Sequence, residues 1–278
     1  MLSVVIPAFN NAQDLDRQLA AVLDQGHDGE WELIVADNGS TDDTPAVFAS
    51  WVERSPRLRW VDASERKGPA AARNIGSAAA RGDRLLFTDA DDLVGPGWLD
   101  ACARALDALD VVVGAVDFTS LNPLPERGAQ DPSPAHLRFL PAGIGTNLAV
   151  RRPAFEAIGG FAEELCVGED IDLCWRMQLA GYRLGYEPSA VVAKRDRTTL
   201  RATLRQAVSY GRSEVTLYTR FRSAGMRRSV WQSVRSFGWL AANGRLLFDP
   251  TGRREWLRVV GIRAGRLAGS VEHRTLYI

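Results

Sequence analysis

Lysine is nearly absent from this chain: of its 34 basic residues only Lys67 and Lys194 are lysine, and the rest are arginine. That bias fits a GC-rich coding sequence and carries no chemistry by itself. Cysteine is scarce as well. Cys102, Cys166 and Cys174 show no CxxC spacing and no nearby histidine, which argues against a disulfide framework or a structural zinc site. They read as buried, inert thiols. The three histidines, His27, His136 and His273, stand apart from the motifs of the chain and read as solvated surface. No apolar run reaches the roughly eighteen residues of a membrane span. The opening run is short and has no basic leader, so it does not read as a signal peptide. The expectation is a cytosolic protein.

What is present is ordinary for a globular protein. Apolar residues make up 46% and charged residues 24%, which excludes a fibrous or wholly disordered chain. At 278 residues the chain can bury a full core and sits near the upper end for one domain. The formal net charge is zero, but it is unevenly spread. From Lys194 onward there are 18 Lys/Arg and 5 Asp/Glu, a net +13, which leaves −13 for the preceding residues. A basic tail on an acidic body predicts an anionic partner for the tail: phospholipid, a lipid phosphate or nucleic acid. No nucleic-acid motif accompanies the charge, which disfavours nucleic acid.

The first half alternates strand and helix. Apolar runs at 2–8, 32–36, 58–61, 84–88 and 111–116 predict strands. Helical spacing is carried by Leu15, Leu19, Val22 and Leu23, by Val47, Phe48, Trp51 and Val52, by the alanine-rich 68–80, and by Leu99, Cys102, Ala103 and Leu106. This rhythm predicts an α/β fold, a mostly parallel sheet flanked by helices. Asp42 and Asp43 read as caps of the second helix. A proline-rich, aperiodic run at 121–141 reads as a mobile loop of the kind that serves as a lid over a bound ligand. A strand at 146–150 and a helix opening at 168–173 follow it.

Ligands of such sheets bind beyond the carboxyl ends of the strands. That rule selects 7–10, 37–40 and 88–92, each a polar turn directly after an apolar strand. Asp89-x-Asp91 could supply the one or two carboxylates with which magnesium or manganese is held beside substrate phosphates. Alone it is a weak motif, because acidic turns are common and solvated. Glu169-Asp170, at the start of a predicted helix, has an equally plain reading as charge complementing the helix dipole. Arg73 and Asn74 on their own are polar residues of an alanine-rich helix.

Taken together, Val5-Ile6-Pro7-Ala8-Phe9-Asn10, Val35-Ala36-Asp37-Asn38-Gly39-Ser40-Thr41-Asp42-Asp43-Thr44, Gly68-Pro69-Ala70-Ala71-Ala72-Arg73-Asn74-Ile75-Gly76 and Thr88-Asp89-Ala90-Asp91-Asp92 resemble the family 2 glycosyltransferases. Gly145-x-Asn147 and Gly168-Glu169-Asp170-Ile171-Asp172-Leu173-x-x-Arg176 extend the resemblance, which covers roughly residues 2–215. It implies a GT-A fold and an inverting transfer of sugar from a nucleotide-diphosphate donor to a glycan or lipid-linked acceptor, assisted by Mn2+ or Mg2+. It places Pro7, Ala8 and Asp37 at the base and ribose, with Asn10 and Gly68 in the same nucleotide-side motifs. Arg73 would face the nucleotide, Asp89 the ribose or a metal-bound water, and Asp91 the metal directly. Asp170 would be the general base, taking the acceptor proton on the side opposite the diphosphate, with Glu169 supporting it or binding the acceptor.

One stretch departs from the family. Where members commonly carry a metal-binding histidine after the last core strand, this chain has Val192-Ala193-Lys194-Arg195-Asp196-Arg197. Lys194 could meet the diphosphate and Asp196 could replace the ligand; otherwise metal is held weakly or activity is lost. Competing readings are a nucleotidyltransferase, against which the glycine-poor 7–10 turn counts, and a non-catalytic nucleotide-sugar-binding relative.

The expected organisation is a catalytic domain at 1–215, with a nucleotide half near 1–117 and an acceptor half near 142–215, then a basic amphipathic extension at 216–278. In that extension Val230, Val234, Phe237 and Ala241 share a helical face, with Trp231, Trp239 and Arg235 nearby; Arg254, Arg258, Arg263 and Arg266 punctuate a later helix. Two readings fit: helices lying at an anionic membrane surface, on its inner face, or helices packed on the protein with arginines in water. Gly261, Gly265 and Gly269 form a ridge permitting close helix approach.

Overall fold

The computed structural model describes residues 1–122, 136–228 and 230–277. Most of the loop expected at 121–141 lies outside them. The chain divides into two compact units, which among the described residues are 1–122 with 141–195, and 136–140 with 196–277. The division falls at residue 195, where the sequence reading sets its boundary at 215.

In the first unit β1 (Leu2–Ala8), β2 (Trp31–Asp37), β3 (Leu58–Asp62) and β4 (Arg84–Phe87) alternate with α1 (Ala12–Leu23), α2 (Thr44–Val52) and α3 (Pro69–Ala79). Then come β5 (Leu93–Val94), α4 (Trp98–Ala108), β6 (Val111–Asp117), β7 (Leu148–Arg151), α5 (Arg152–Ala157), α6 (Glu169–Leu179) and β8 (Leu184–Ala193). The strands form one sheet in the order β3-β2-β1-β4-β7-β6-β8-β5. Parallel pairing holds for β3 through β4 and for β6 with β8. β7 runs antiparallel between β4 and β6, and β5 antiparallel on β8. A parallel return from β6 would need a crossover helix, and β7 is instead entered from a loop.

This mixed topology gathers the site. β1, β2, β4, β6 and β8 all end at one edge of the sheet, and antiparallel β7 begins there, with Leu148 opposite Phe87. The pairing of Leu93 with Ala193 sets Asp92 beside Lys194. α3 packs closely because its inner face is small: a Cβ on Gly76 would lie 2.6 Å from the Val5 side chain. Arg73 is on that buried face, while Leu15, Gln18, Leu19 and Val22 form the buried stripe of α1.

Several sequence expectations change. Cys102 and Cys174 are buried as expected, but Cys166 is exposed. His27 is no solvated surface residue: its Nδ1 lies 2.5 Å from the Asp100 carboxylate, and the ring is largely buried. His273 Nε2 sits 2.9 Å from the Thr216 hydroxyl. Asp42 accepts from the Thr44 and Ala12 backbone N–H groups, at the starts of both α2 and α1, whereas Asp43 occupies the cap position of α2 without a side-chain bond.

The second unit holds α7 (Leu200–Phe221), α8 (Val230–Ala242) and α9 (Pro250–Glu272). Thr199 caps α7 and Asp249 caps α9. The glycine ridge of α9 is where that helix meets α7. A Cβ on Gly265 would lie 2.1 Å from the Val208 carbonyl oxygen, and one on Gly211 2.1 Å from that of Ile262. At such backbone separation Arg266 is drawn inside, paired with Glu214, and Arg263 is buried with it. These two arginines therefore lie neither in water nor in a lipid headgroup layer. Among the described residues no helix is long and apolar enough to cross a membrane.

Gly211→Ala or Gly265→Ala should destabilise the protein by about 1–3 kcal/mol through overpacking. Gly238→Ala, at an α8 position with nothing within 4 Å of the added Cβ, should instead gain about 0.5–1 kcal/mol in helix propensity. Urea denaturation of the three variants, followed by helical circular dichroism, checks the contrast.

Candidate active site

The β1 and β2 turns are tied to each other. Asn10, with φ +54°, accepts from the Thr41 N–H at 2.8 Å and the Asp42 N–H at 3.3 Å, and its own N–H donates to Ser40 Oγ at 2.9 Å. Asp37, nearly buried at the end of β2, accepts from the Ser40 N–H at 3.2 Å and the Ser40 hydroxyl at 2.5 Å. Pro7 and Ala8 close β1 beside it, register partners of Ala36 and Asp37. Asn38 was given no role in the sequence reading, yet it spans the gap to α3. Its amide donates to the Ala63 and Arg66 carbonyls and accepts from the Gly68 N–H at 2.8 Å. Gly68 holds φ +114°, a conformation that suits glycine at the start of α3.

Arg73 is 3% exposed and donates to two carboxylates, to Glu169 at 2.8 Å and to Asp89 at 2.6 Å. It also lies over the Phe161 ring, 5.5 Å from its centroid. Gly145 explains itself here: a Cβ at that position would stand 2.8 Å from an Arg73 nitrogen. The Gly145 N–H meanwhile donates to Asp170 at 2.8 Å. Asn74, by contrast, is spent on structure, bonded to both backbone groups of Phe161 and to Glu163. Asn147 is likewise structural, accepting from Trp98 and donating to the Ala115 and Ala190 carbonyls.

The acidic turn after β4 carries a second network. Thr146 donates into it, its hydroxyl lying 2.8 Å from Asp89 and 2.7 Å from Asp92. The Lys194 ammonium stands 2.6 Å from the same hydroxyl, 3.1 Å from Asp92 and 3.5 Å from Asp89. Asp92 also accepts from the Arg195 N–H at 2.9 Å. Gln18, fully buried in α1, holds the turn from behind by donating to Thr88 Oγ1 and the Asp89 carbonyl and accepting from the Val94 N–H. Sequence reasoning missed Gln18 and Thr146, and it placed Asp92 in the acidic turn without a role of its own. The signal for Gln18 was a glutamine at an i+3 position within an apolar helical stripe.

Charge here is unevenly matched. Against the cost of burial, Arg73 and then Lys194 hold Asp89 well below the usual carboxylate range. Burial pushes Asp92 up to about 6 against the pull of Lys194, and the charges of Asp89 and Asp91 add to the rise. Burial, then the adjacent Asp170, pushes Glu169 up to about 7 despite Arg73. Asp89, Asp91 and Asp92 each present an oxygen within 4.8 Å of the others, a hard donor set that suits Mg2+ or Mn2+. The oxygens of Asp89 and Asp92 are already shared with Arg73, Thr146, Lys194 and the Arg195 backbone. The cluster as a whole fits a divalent cation whose remaining positions are taken by a ligand's phosphate oxygens. Asp196 falls in the second unit.

An open sheet with an acidic turn, a buried arginine and a Glu-Asp pair at one edge is the arrangement of a GT-A-type fold. The family model for glycosyl transferase family 2 matches residues 3–162, and that of glycosyl transferase family group 2 matches residues 133–250. The chain belongs to glycosyl transferase family 2. It is 33% identical over 235 residues to a pre-mycofactocin glycosyltransferase of Mycobacterium tuberculosis, covering 79% of this chain and 48% of that protein. To the succinoglycan biosynthesis protein ExoO of Rhizobium meliloti it is 32% identical over 207 residues, covering 68% of this chain and 59% of that one. The chain thus spans about half to three-fifths of the length of these relatives. The solved mannosyltransferase PcManGT of Pyrobaculum calidifontis, in complex with GDP-Man and Mn2+, superposes with a TM-score of 0.68 at 20% identity, over 98% of this chain and 87% of that one. S. aureus TarS 1-349 in complex with UDP superposes at 0.58 and 18% identity, over 100% and 93%.

Arg73→Met should cost about 3–5 kcal/mol, because it leaves Asp89 and Glu169 buried without their shared cation; thermal denaturation measures it. A pH dependence follows from Glu169. Its folded pKa lies above the ordinary 4.5, so the stability from its bound proton is present below about 4.5 and is lost as the pH rises through about 7. Melting temperature in Glu169→Gln should therefore fall less between pH 5 and 8 than in the parent protein.

Proposed function

We propose that the chain transfers a sugar, with inversion, from a nucleotide-diphosphate donor to a hydroxyl of a glycan or lipid-linked acceptor, in cell-surface glycan or glycolipid synthesis. The observation that carries this is the joining, through Arg73, of the acidic turn after β4 to the Glu-Asp pair that opens α6. A donor seated along the carboxyl edge would lay its base and ribose by Pro7, Ala8, Asn10, Asp37 and Gly68. Its diphosphate would then lie toward Asp89, Asp91 and Lys194. A divalent cation held by Asp91 would supply positive charge to the departing diphosphate. Asp170, its carboxylate aimed by the Gly145 N–H, is the base in this reading. It takes the acceptor's proton as the acceptor oxygen bonds to the anomeric carbon and the bond from that carbon to the phosphate oxygen breaks. Glu169 positions Arg73. The solved complexes with GDP-Man and with UDP support the donor class without fixing its base.

A second reading is a nucleotide-sugar-binding protein without turnover. It is favoured by Lys194, whose ammonium already bridges Thr146 and Asp92 beside the acidic turn. Calorimetric titration of UDP, GDP and dTDP, with and without manganese, separates the two when paired with donor hydrolysis. Metal-dependent binding of one nucleotide, weakened at least tenfold in Asp91→Asn, together with turnover, is the expected result. Binding without turnover selects the second reading. Asp170→Asn should keep nucleotide affinity and lower kcat by about 10²–10⁴.

A further inference from the structure

Between Glu214 and Asp249 there is no acidic residue, and six arginines fall in that interval: Arg220, Arg222, Arg227, Arg228, Arg235 and Arg245. α8 lies inside it. One side of α8 is anchored to α9: Ser233 is buried, with its hydroxyl 3.4 Å from Arg263, and the Leu240 carbonyl accepts from the Trp256 indole at 3.2 Å. An adjoining face is apolar and exposed. Trp231 is 78% exposed, Val234 54% and Phe237 46%, and Gly238 and Ala241 fall on the same helical face. Phe248, in the turn that follows, is 88% exposed beside exposed Arg245, and Arg227 and Arg228 are exposed just before the helix.

We infer that this face of α8 is a docking surface for an anionic phospholipid bilayer, on which the helix lies in the plane of the headgroups. Three features select this occupant. An aromatic stripe along a 13-residue helix, about 20 Å long, matches the shallow apolar layer that an interfacial helix enters. From Arg220 to Arg245 the charge is of one sign, complementary to anionic headgroups and repulsive to the same face of a second copy. At 13 residues the helix is too short to cross a membrane, which leaves the in-plane position as the one it could take. The inference is independent of the transferase reading, because binding is measured without donor or acceptor.

The test is co-sedimentation of the full chain with vesicles of phosphatidylcholine alone or with about a third phosphatidylglycerol. Binding should be at least tenfold tighter to the anionic vesicles and weaken with salt. Trp231→Ser with Phe237→Ser should weaken it at least tenfold, with an unchanged circular dichroism spectrum and melting temperature, since both side chains are exposed. Arg227→Gln with Arg235→Gln should weaken it about fivefold per arginine. Equal binding to both vesicle types, or no binding, overturns the proposal. So does a double aromatic variant that binds like the parent, which would reduce the effect to charge alone. A dimer in sedimentation velocity that Phe237→Ser dissociates would assign the face to a second copy, and nucleic acid binding lost in the aromatic variant would assign it to bases; either result overturns the bilayer.

Discussion

Arg73 donates from one guanidinium to Asp89, after β4, and to Glu169, at the start of α6, and it does so almost wholly out of water. The desolvation cost of such a group is recovered only if several partners hold it in fixed geometry. Here they come from four directions: the two carboxylates, the Phe161 ring, and the Gly145 backbone that stacks where no Cβ would fit. The alanine and glycine face of α3 follows from the same requirement, because a bulkier face would lift Arg73 away from the edge. So do the reversed β7, which brings Gly145 and Thr146 to the edge, and the positive φ of Gly168, which turns the chain into α6.

Even so, one guanidinium cannot balance the acidic groups of this edge. Asp89, Asp91, Asp92, Glu169 and Asp170 crowd together; burial first, and then the neighbouring carboxylates, push Asp92 and Glu169 up, while Arg73 and Lys194 hold Asp89 down. An edge charged in this way binds added positive charge. Lys194 supplies part of it from the end of β8, as a point charge whose strength does not depend on a second ligand. Its ammonium engages Thr146 and Asp92 and stands 3.5 Å from Asp89, so part of the negative charge of the acidic turn is neutralised from within the protein.

The strands and helices of the first unit were legible because buried strands and amphipathic helices print their period in the residues: residues 2–8 and the Leu15, Leu19, Val22 stripe appear as read. The edge turns were legible for the same reason, each following an apolar strand. The reversed direction of β7 was not, because a four-residue apolar run has the same period in either orientation. The meeting of Thr146 and Asp92 with Lys194 was hidden by topology, since only the β4-β7 and β5-β8 pairings bring them together. The exposure of Cys166 and the pairing of His27 with Asp100 were hidden too, for neither a thiol nor an imidazole announces its surroundings in sequence.

The arginine-rich tail shows where composition stops informing. Arginines of the two later helices look alike in sequence, yet Arg263 and Arg266 are interior while Arg227, Arg235 and Arg245 are at the surface. What separates them is the glycine spacing. Gly261, Gly265 and Gly269 repeat every four residues, which brings the α9 backbone against α7 and commits its neighbouring arginines to the seam, where Glu214 waits for one of them. α8 has no such repeat; its lone Gly238 meets nothing within 4 Å. Trp231, Val234 and Phe237 of that helix stand exposed together, a contiguous apolar face of the kind that marks an interaction surface rather than an interior.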